Sequence, residues 1–479
     1  MNRCSRRGFL KCAAASGALA AVTISGTKAS GRVLGANDRI RIAVAGFNGR
    51  GRSHLRCYAE MKDVEIAYLV DVDSRLFPAA TTLVAKQAGN TPQCVQDLRK
   101  ALEDKNLDAV SLATPNHSHS LLAIWCCQAG KDVYVEKPCS HNIFEGRKLV
   151  EASRKYDRIV QHGTQRRADP KWQKLIADIH KGKYGKLLIS YGYASKPRPS
   201  IGFADPQEPP KELDYNLWLG PAAVQPYRTN LVPYNWHWVW AFGNGEIGNQ
   251  GVHQLDVARW AMPVDAAPKS VISLGGRFGY KDQGETPNTQ LTVIDFGDMK
   301  LFFEDRGLVT GKTSKVANEF YTDEGVVKDG MFFRKGKQEG EPIEDMPDRN
   351  PGPVEKLHFR NFIDCMRSRK RDQLTAEILE GHRAALLAHM ANTSYRLGQE
   401  VAFDKGTKTL AGDTMFRDSF EDMKQHLVDA AKLDLTGSTY RLGRVLQFDA
   451  QAERYVGDDE ANKMLGRAYR EPFVVREQV

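Results

Sequence analysis

The sequence predicts an α/β chain in two parts: an N-terminal, doubly wound parallel-sheet domain, then a C-terminal α+β domain with a mainly antiparallel sheet. Three observations carry this. Between residues 40 and 162, short, continuously apolar, β-branched runs alternate with helical stretches, the pattern of strands buried on both faces by crossover helices. Beyond residue 163 the strand-like runs alternate apolar with polar residues and are separated by turns, as strands of an antiparallel sheet do. The length of 479 residues also exceeds what one hydrophobic core organises.

The first 36 residues precede both parts. Ser5-Arg6-Arg7-Gly8-Phe9-Leu10-Lys11 is a twin-arginine export pattern, and the small-residue apolar stretch at 12–24 is too short and too weakly apolar to span a bilayer. A cleavable signal over 1–36 is expected, cut at Thr27-Lys28-Ala29 or near Gly35-Ala36. The twin-arginine (Tat) translocase would then deliver a folded protein to the periplasm with no stable membrane anchor. Cys12 is not read as a lipid site, because the apolar run follows it instead of preceding it. Six Lys or Arg and no acidic residue stand before Asp38, so the net charge of +9 drops to about +3 once the signal is lost. With no later basic cluster, nucleic acid is not an expected partner. The remaining cysteines, Cys57, Cys94, Cys126, Cys127, Cys139 and Cys365, contain no C-x-x-C pair and read as thiols, not as a disulfide framework.

Residues 37–163 carry strands at 40–45, 66–70, 109–113, 133–135 and 159–161 with helices between them, a Rossmann-type pattern. The first strand runs into Gly46-Phe47-Asn48-Gly49-Arg50-Gly51. This places the first and third glycines of a dinucleotide fingerprint, with Asn48 where a middle glycine normally stands. Asp71, at the end of the second strand, suits a ribose hydroxyl and would repel a 2′-phosphate, which favours NAD over NADP. Asp73 reads as a helix cap. Thr114-Pro115-Asn116-His117-Ser118-His119 follows the third of these strands at the carboxyl edge, where such folds bind ligands. His117 and His119 have no further partner at metal-ligand spacing, so no metal is expected.

Residues 164–404 read as the α+β domain: a helix at 171–180, a strand at 187–193, an irregular Pro- and Trp-rich segment at 196–240, strands at 270–278, 290–296 and 300–304, and helices at 354–368 and 375–397. The irregular segment crowds Trp218, Tyr234, Trp236, His237, Trp238 and Trp240 ahead of a helix opened by His253; aromatic faces stack on sugar rings, so the cluster points to a sugar site, while core packing is the commoner role for any single member. Asp256, three residues on, is placed to orient His253. Residues 405–479 form a charged extension with a helix at 419–432, expected to pack on the body.

Glu136-Lys137-Pro138, Gly163-Thr164-Gln165-Arg166-Arg167 and Gly248-Asn249-Gln250-Gly251-Val252-His253-Gln254-Leu255-Asp256 complete a set of motifs. Together with the glycine turn, Asp71 and the Thr114–His119 turn, they resemble the glucose-fructose oxidoreductase, inositol dehydrogenase and MocA (Gfo/Idh/MocA) family over about residues 39–403. That resemblance implies cofactor contacts from Gly46, Asn48, Gly49, Arg50, Gly51, Asp71, Thr114, Pro115, Asn116, His119, Glu136 and Lys137. It implies substrate contacts from Gln165, Arg166, Trp236 and His253, a cis bond at Pro138, and a homo-oligomer paired through an exposed sheet face. Asn249 stands where the family commonly has an aspartate, which leaves a carboxylate relay without its carboxylate.

Removing a hydride from a carbinol carbon requires a base for the hydroxyl proton and a positive group for the developing alkoxide. His253 and Lys137 suit those roles. The leading expectation is an exported oxidoreductase that holds NAD tightly and acts on a hydroxyl of a sugar, glycoside or cyclitol. The alternatives are a redox-neutral glycoside hydrolase or lyase that oxidises, eliminates and returns the hydride, and a non-catalytic sugar-binding protein.

Overall fold

Strand β1 (Ile40–Ala45) buries every residue except the half-exposed Arg41, because both faces of its sheet are covered. It is followed by α1 (Gly51–Ala59), β2 (Val64–Val70), α2 (Phe77–Ala88), β3 (Gln93–Val95), α3 (Leu98–Leu102), β4 (Ala109–Leu112), α4 (Asn116–Gln128), β5 (Asp132–Val135), α5 (Ile143–Lys155) and β6 (Val160–His162). The computed structural model describes residues 39–308, 315–347, 352–404 and 413–479. The export pattern and cleavage positions expected within 1–36 lie outside them. The six strands are parallel in the order β3-β2-β1-β4-β5-β6, the Rossmann arrangement. Strand order reverses between β1 and β4, which opens a crevice at the carboxyl edge. The pattern did not reveal β3, a three-residue edge strand with Gln93 and Cys94 exposed and no apolar run.

The chain then forms α6 (Pro170–His180), β7 (Leu187–Ser195), α7 (Tyr215–Leu219), α8 (Val252–Trp260), β8 (Ser270–Gly276), β9 (Thr289–Asp295) and β10 (Lys300–Arg306). It continues through β11 (Lys315–Thr322), β12 (Gly325–Lys328), β13 (Met331–Arg334), β14 (Glu341–Pro342), α9 (Gly352–Ser368), α10 (Ile378–Arg396) and β15 (Gln399–Ala402). These strands make a large sheet, antiparallel except where β10 runs parallel to β7. One face packs on α8 and α10, with Val252, Leu255, Leu387 and Met390 against Ile294, Leu301, Phe303 and Phe320.

Two findings depart from the sequence reading. Helix α9, grouped with the second domain, covers the first: Phe359, Phe362, Ile363 and Met366 pack with Ile40, Ile42, Val44 and Tyr58. Periodicity marks an apolar helix face but not which sheet it meets. The extension, in turn, is divided between both sheets. Its helix α11 (Thr414–Asp429) sets Phe416, Phe420, Met423 and Leu427 on Tyr191, Ile272, Leu291, Val293 and Phe302. The face expected to be exposed for pairing with a second copy is thus covered, over its central strands, by the chain itself. Further on, β16 (Thr439–Leu442) bridges β15 and β8, β17 (Leu446–Asp449) pairs with β8 and β18 (Arg454–Tyr455), and Phe473, Val475 and Val479 pack into the first domain. The six cysteines named above are free thiols, five of them buried and Cys94 exposed. Among the described residues no helix is long and apolar enough to cross a membrane.

Candidate active site

A cleft of about 790 Å³ opens at the crevice between β1 and β4 and runs under the irregular segment of the second domain. Its first wall is the turn from β1 into α1. Gly46 has φ +78°, and a side chain there would meet Ala113 O at 2.8 Å. At Gly51 a Cβ would lie 1.9 Å from Gly46 O, so only glycine lets α1 start this close to β1, whereas nothing stands within 4 Å of a Cβ at Gly49. Asn48, Gly49 and Arg50 are exposed to the cleft. The turn therefore presents free backbone near the start of a helix, as a pyrophosphate requires.

At the end of β2, Asp71 accepts the Phe47 N–H (3.0 Å) and the Asp73 N–H (3.1 Å). Burial outweighs these bonds and pushes its carboxyl up to about 6. Asp73 caps the following turn by accepting from Arg75 N–H, as expected. Thr114, Pro115, Asn116 and His119 line the opposite wall. His119 is buried, with Nδ1 2.7 Å from Pro138 O and Nε2 2.6 Å from Thr114 O, so it braces the two turns against each other.

Glu136 sits at the centre. Burial works against its charge, but Arg50 (2.8 Å) and His54 (3.2 Å) hold it well below the usual carboxylate range. Arg50 pairs in addition with Glu355 of α9. Gln165 donates to Glu136 Oε1 at 3.2 Å, and Gly163 leaves room for Glu136, which a Cβ there would contact at 2.9 Å. Sequence reasoning missed His54 and Glu355. A histidine inside an amphipathic helix and a glutamate in a distant one carry no local mark of this role.

Beyond Glu136 the Lys137–Pro138 bond is cis, and Lys137 Nζ donates to Asn249 O (2.7 Å) and Asn249 Oδ1 (3.3 Å). Asn249 lies in a single π-helical turn, Ile247–Gly251, that leads into α8; such turns displace side chains and concentrate at functional sites. His253, one turn on, lines the same cleft. Burial first, then the charges of Lys137 and Arg166, hold its imidazole well below the ordinary range, so it is neutral. Burial likewise lowers Lys137. Arg166, Trp236, Tyr234, Gln250 and Lys196 complete this end; Lys196 and Gln250 were not foreseen.

Other expectations are corrected. Asp256 does not orient His253: its carboxylate is taken by Arg167 Nε at 2.9 and 3.0 Å, because the buried guanidinium offers a charged donor on the helix side away from the cleft. The aromatic cluster also divides. Trp218, Tyr234 and Trp236 line the cleft, but Trp238 is buried beneath Arg277 (4.8 Å to the ring) and Trp240 faces a separate cavity under Arg396. His117 is a core residue, with Nε2 2.8 Å from Trp218 O.

Comparison with known proteins identifies the family. The oxidoreductase-family model with an NAD-binding Rossmann fold (Gfo/Idh/MocA) matches residues 40–164, and the C-terminal alpha/beta domain model of that family matches 201–427. Rhizopine catabolism protein MocA of Rhizobium meliloti is 30% identical over 261 residues, 54% of this chain and 68% of that protein. Myo-inositol 2-dehydrogenase of Thermotoga maritima is 30% identical over 177 residues, 37% of this chain and 48% of that protein. The chain thus spans about half the length of the latter relative. Among solved structures, the WlbA dehydrogenase of Bordetella pertussis with NADH and UDP-GlcNAcA superposes with TM-score 0.56 at 18% identity, covering 75% of this chain and 96% of that one. Levoglucosan dehydrogenase with NADH and levoglucosan gives 0.57 at 17%, covering 74% and 96%. At these identities the structures share the fold.

Proposed function

Because this chain belongs to the Gfo/Idh/MocA oxidoreductase family, we propose that it oxidises a hydroxyl-bearing carbon of a sugar, glycoside or cyclitol, and that it does so outside the cytoplasm with its NAD retained. The observation that carries the reading is one continuous cleft that joins the glycine turn and Asp71 at one end to Lys137, Asn249 and His253 at the other. The residues fit the dinucleotide: Gly46, Asn48, Gly49 and Arg50 would hold its phosphates, Asp71 its ribose, and Thr114, Pro115, Asn116, His119 and Glu136 its nicotinamide half. When bound, NAD supplies the hydride acceptor.

The chain's own residues do the rest. Neutral His253 accepts the proton of the substrate hydroxyl at a ring nitrogen. The Lys137 ammonium, held by Asn249, stabilises the oxygen as it becomes negative. Glu136, ionised and fixed by Arg50 and His54, favours the cationic form of Lys137 in opposition to burial, which lowers it. Asn249 accepts from Lys137 but takes no proton, so proton removal rests on His253.

Retention is supported by how the nucleotide end is closed. Segment 212–214 of the second domain lies against residues 72–74, just past the end of β2: Glu212 O accepts from Ser74 N (3.0 Å) and Gln96 Nε2 (3.0 Å), and Asp214 N donates to Val72 O (2.9 Å). From the C-terminal extension, Phe473 lines the cleft beside Leu98 and Trp125. Arg470 Nη2 fastens that extension to the loop through Asn216 O and Gly220 O, both at 2.8 Å. A protein exported by the twin-arginine pattern folds, and loads NAD, before crossing the membrane. Any homo-oligomer would have to form on a surface other than the sheet face that α11 covers.

The test is protein recovered from the periplasm, denatured and assayed for released nicotinamide, then offered sugars, glycosides and cyclitols, myo-inositol among them. We expect stoichiometric nicotinamide and its reduction by at least one class. Protein that is empty, and that reduces no added NAD with any of them, overturns the proposal.

A further inference from the structure

The substrate end of the cleft holds more positive charge than it neutralises. Lys137, Arg166 and Lys196 all line it, and none has a carboxylate within ion-pairing distance among the described residues. The carboxylates nearest to them are each committed elsewhere. Glu136 is paired with Arg50 (2.8 Å), Glu246 with Arg198, and Asp256 with Arg167 (2.9 Å), while Asp169 caps α6 by accepting from Lys171 N–H (2.9 Å).

The three cations are held instead by uncharged amides of the π-helical turn and α8. Lys137 Nζ meets Asn249 O at 2.7 Å, and Lys196 Nζ meets Gln250 Oε1 at 2.6 Å. Gln254, in the amide orientation that satisfies both its ends, accepts from Arg166 Nη1 and Nη2 at 3.0 and 3.3 Å. Amides fix direction without cancelling charge. Half-buried cations left in this state carry a desolvation cost that a ligand's counter-charge would offset. Burial lowers Lys137, Lys196 and Arg166 alike, and the charges of Arg198 and Arg166 lower Lys196 further.

Resting on the reading above, that this cleft oxidises a sugar hydroxyl, we infer that the sugar is an acid: Arg166 and Lys196 receive a carboxylate on the substrate, while Lys137 serves the reacting oxygen. The planar guanidinium of Arg166 matches a carboxylate with two parallel bonds, and Lys196 adds a point charge beside it. The anion has a second consequence for the chemistry. Positive charge from Lys137 and Arg166 is among the influences that make His253 a poor proton acceptor; a carboxylate on Arg166 offsets part of it, so His253 becomes a better base when the correct substrate is bound.

The experiment uses the NAD-loaded full chain and matched pairs: glucuronate, galacturonate and mannuronate, each against its parent hexose and its uronate methyl ester. Binding is followed by calorimetry and turnover by nicotinamide reduction. At least one uronate should bind about 10- to 100-fold more tightly than its hexose and its ester, the range of one or two charge-assisted hydrogen bonds, and the preference should shrink with added salt. Arg166→Gln and, separately, Lys196→Gln should remove most of that preference and raise KM more than they lower kcat. Asn249→Asp, which places a carboxylate against Lys137, should weaken uronate binding.

Hexoses or methyl esters that bind as well as the acids, or an absence of binding by every uronate, overturn the inference. So does preference for hexose 6-sulfates or 6-phosphates over uronates, which would assign the cations to a tetrahedral anion. Reduction of nicotinamide by neutral sugars alone sinks the acid but leaves the oxidoreductase standing, whereas uronate binding with no reduction by any sugar keeps the acid and removes the oxidation.

Discussion

The two ends of the cleft are built on different principles. At the nucleotide end, recognition belongs to the backbone: a glycine turn at φ +78°, a helix start where a Cβ would lie 1.9 Å from a backbone oxygen, and a carboxylate fixed by two N–H groups. The charged groups toward its centre are closed among themselves, with Arg50 between Glu136 and Glu355. At the substrate end, recognition belongs to side chains that converge from β5, β7, the turn after β6 and the π-helical turn, and their charges are left open. A cofactor common to many enzymes needs one fixed cradle, whereas a particular substrate is selected by groups whose pairing it completes.

The sharpest way to break this contrast is to remove the substrate-end groups and ask whether the nucleotide end notices. His253→Ala should lower kcat by about 10²- to 10⁴-fold, the usual contribution of a positioned base, with NAD affinity unchanged; pre-steady-state nicotinamide reduction and NAD titration read the two quantities separately. Unchanged kcat would move the base elsewhere. Lys137→Ala should cost about 10²- to 10³-fold, also without release of bound nicotinamide, and loss of the nicotinamide instead would recast Lys137 as a cradle residue. A smaller effect probes the other end. Gly51→Ala must displace Gly46 O and should destabilise the fold by about 1–3 kcal/mol, the range for overpacking, with NAD affinity lost alongside. Gly49→Ala, with open space around its Cβ, should weaken NAD while leaving the thermal midpoint in place. Equal thermal effects at both glycines would contradict the distinction.

The same contrast explains what could be read from the sequence. Strands β1, β2, β4, β5 and β6 announced themselves as apolar runs because parallel strands are buried on both faces, and the glycine turn and Asp71 because backbone recognition imposes residue types at short spacing. Lys137 and His253 were legible through motifs at a strand end and a helix start. His54, Glu355, Lys196 and Gln250 were not, since each acts through a partner 54–305 positions away and leaves no periodic trace. Asp256 misled for a related reason: spacing puts it one helical turn from His253, but spacing cannot show that the buried Arg167 claims it first. The aromatic segment gave the right neighbourhood but could not distinguish Trp236, at the cleft, from Trp238, in the core. Helix α11 shows the limit at the level of architecture, because its apolar face predicts burial and not which sheet it seals.

The smallest effect separates the two ends by pH. In the NAD-free protein burial pushes Asp71 up to about 6, and only the ionised carboxylate accepts from both ribose hydroxyls. Binding therefore favours the ionised form and lowers the group's pKa in the complex. By linkage, NAD affinity is level above about pH 6 and falls as pH drops through it, by at most about tenfold per pH unit until the bound form also protonates. NAD titrations by tryptophan quenching across that range would show the bend, and Asp71→Asn should bind more weakly and without it. His253 and Lys137 stand at the substrate end, where burial holds His253 well below the ordinary histidine value and Lys137 below the ordinary lysine value. Their signature therefore belongs in the pH profile of kcat, not in that of NAD binding. A bend near pH 6 that survives in Asp71→Asn would assign it to another group and leave the carboxylate without its part in the cradle.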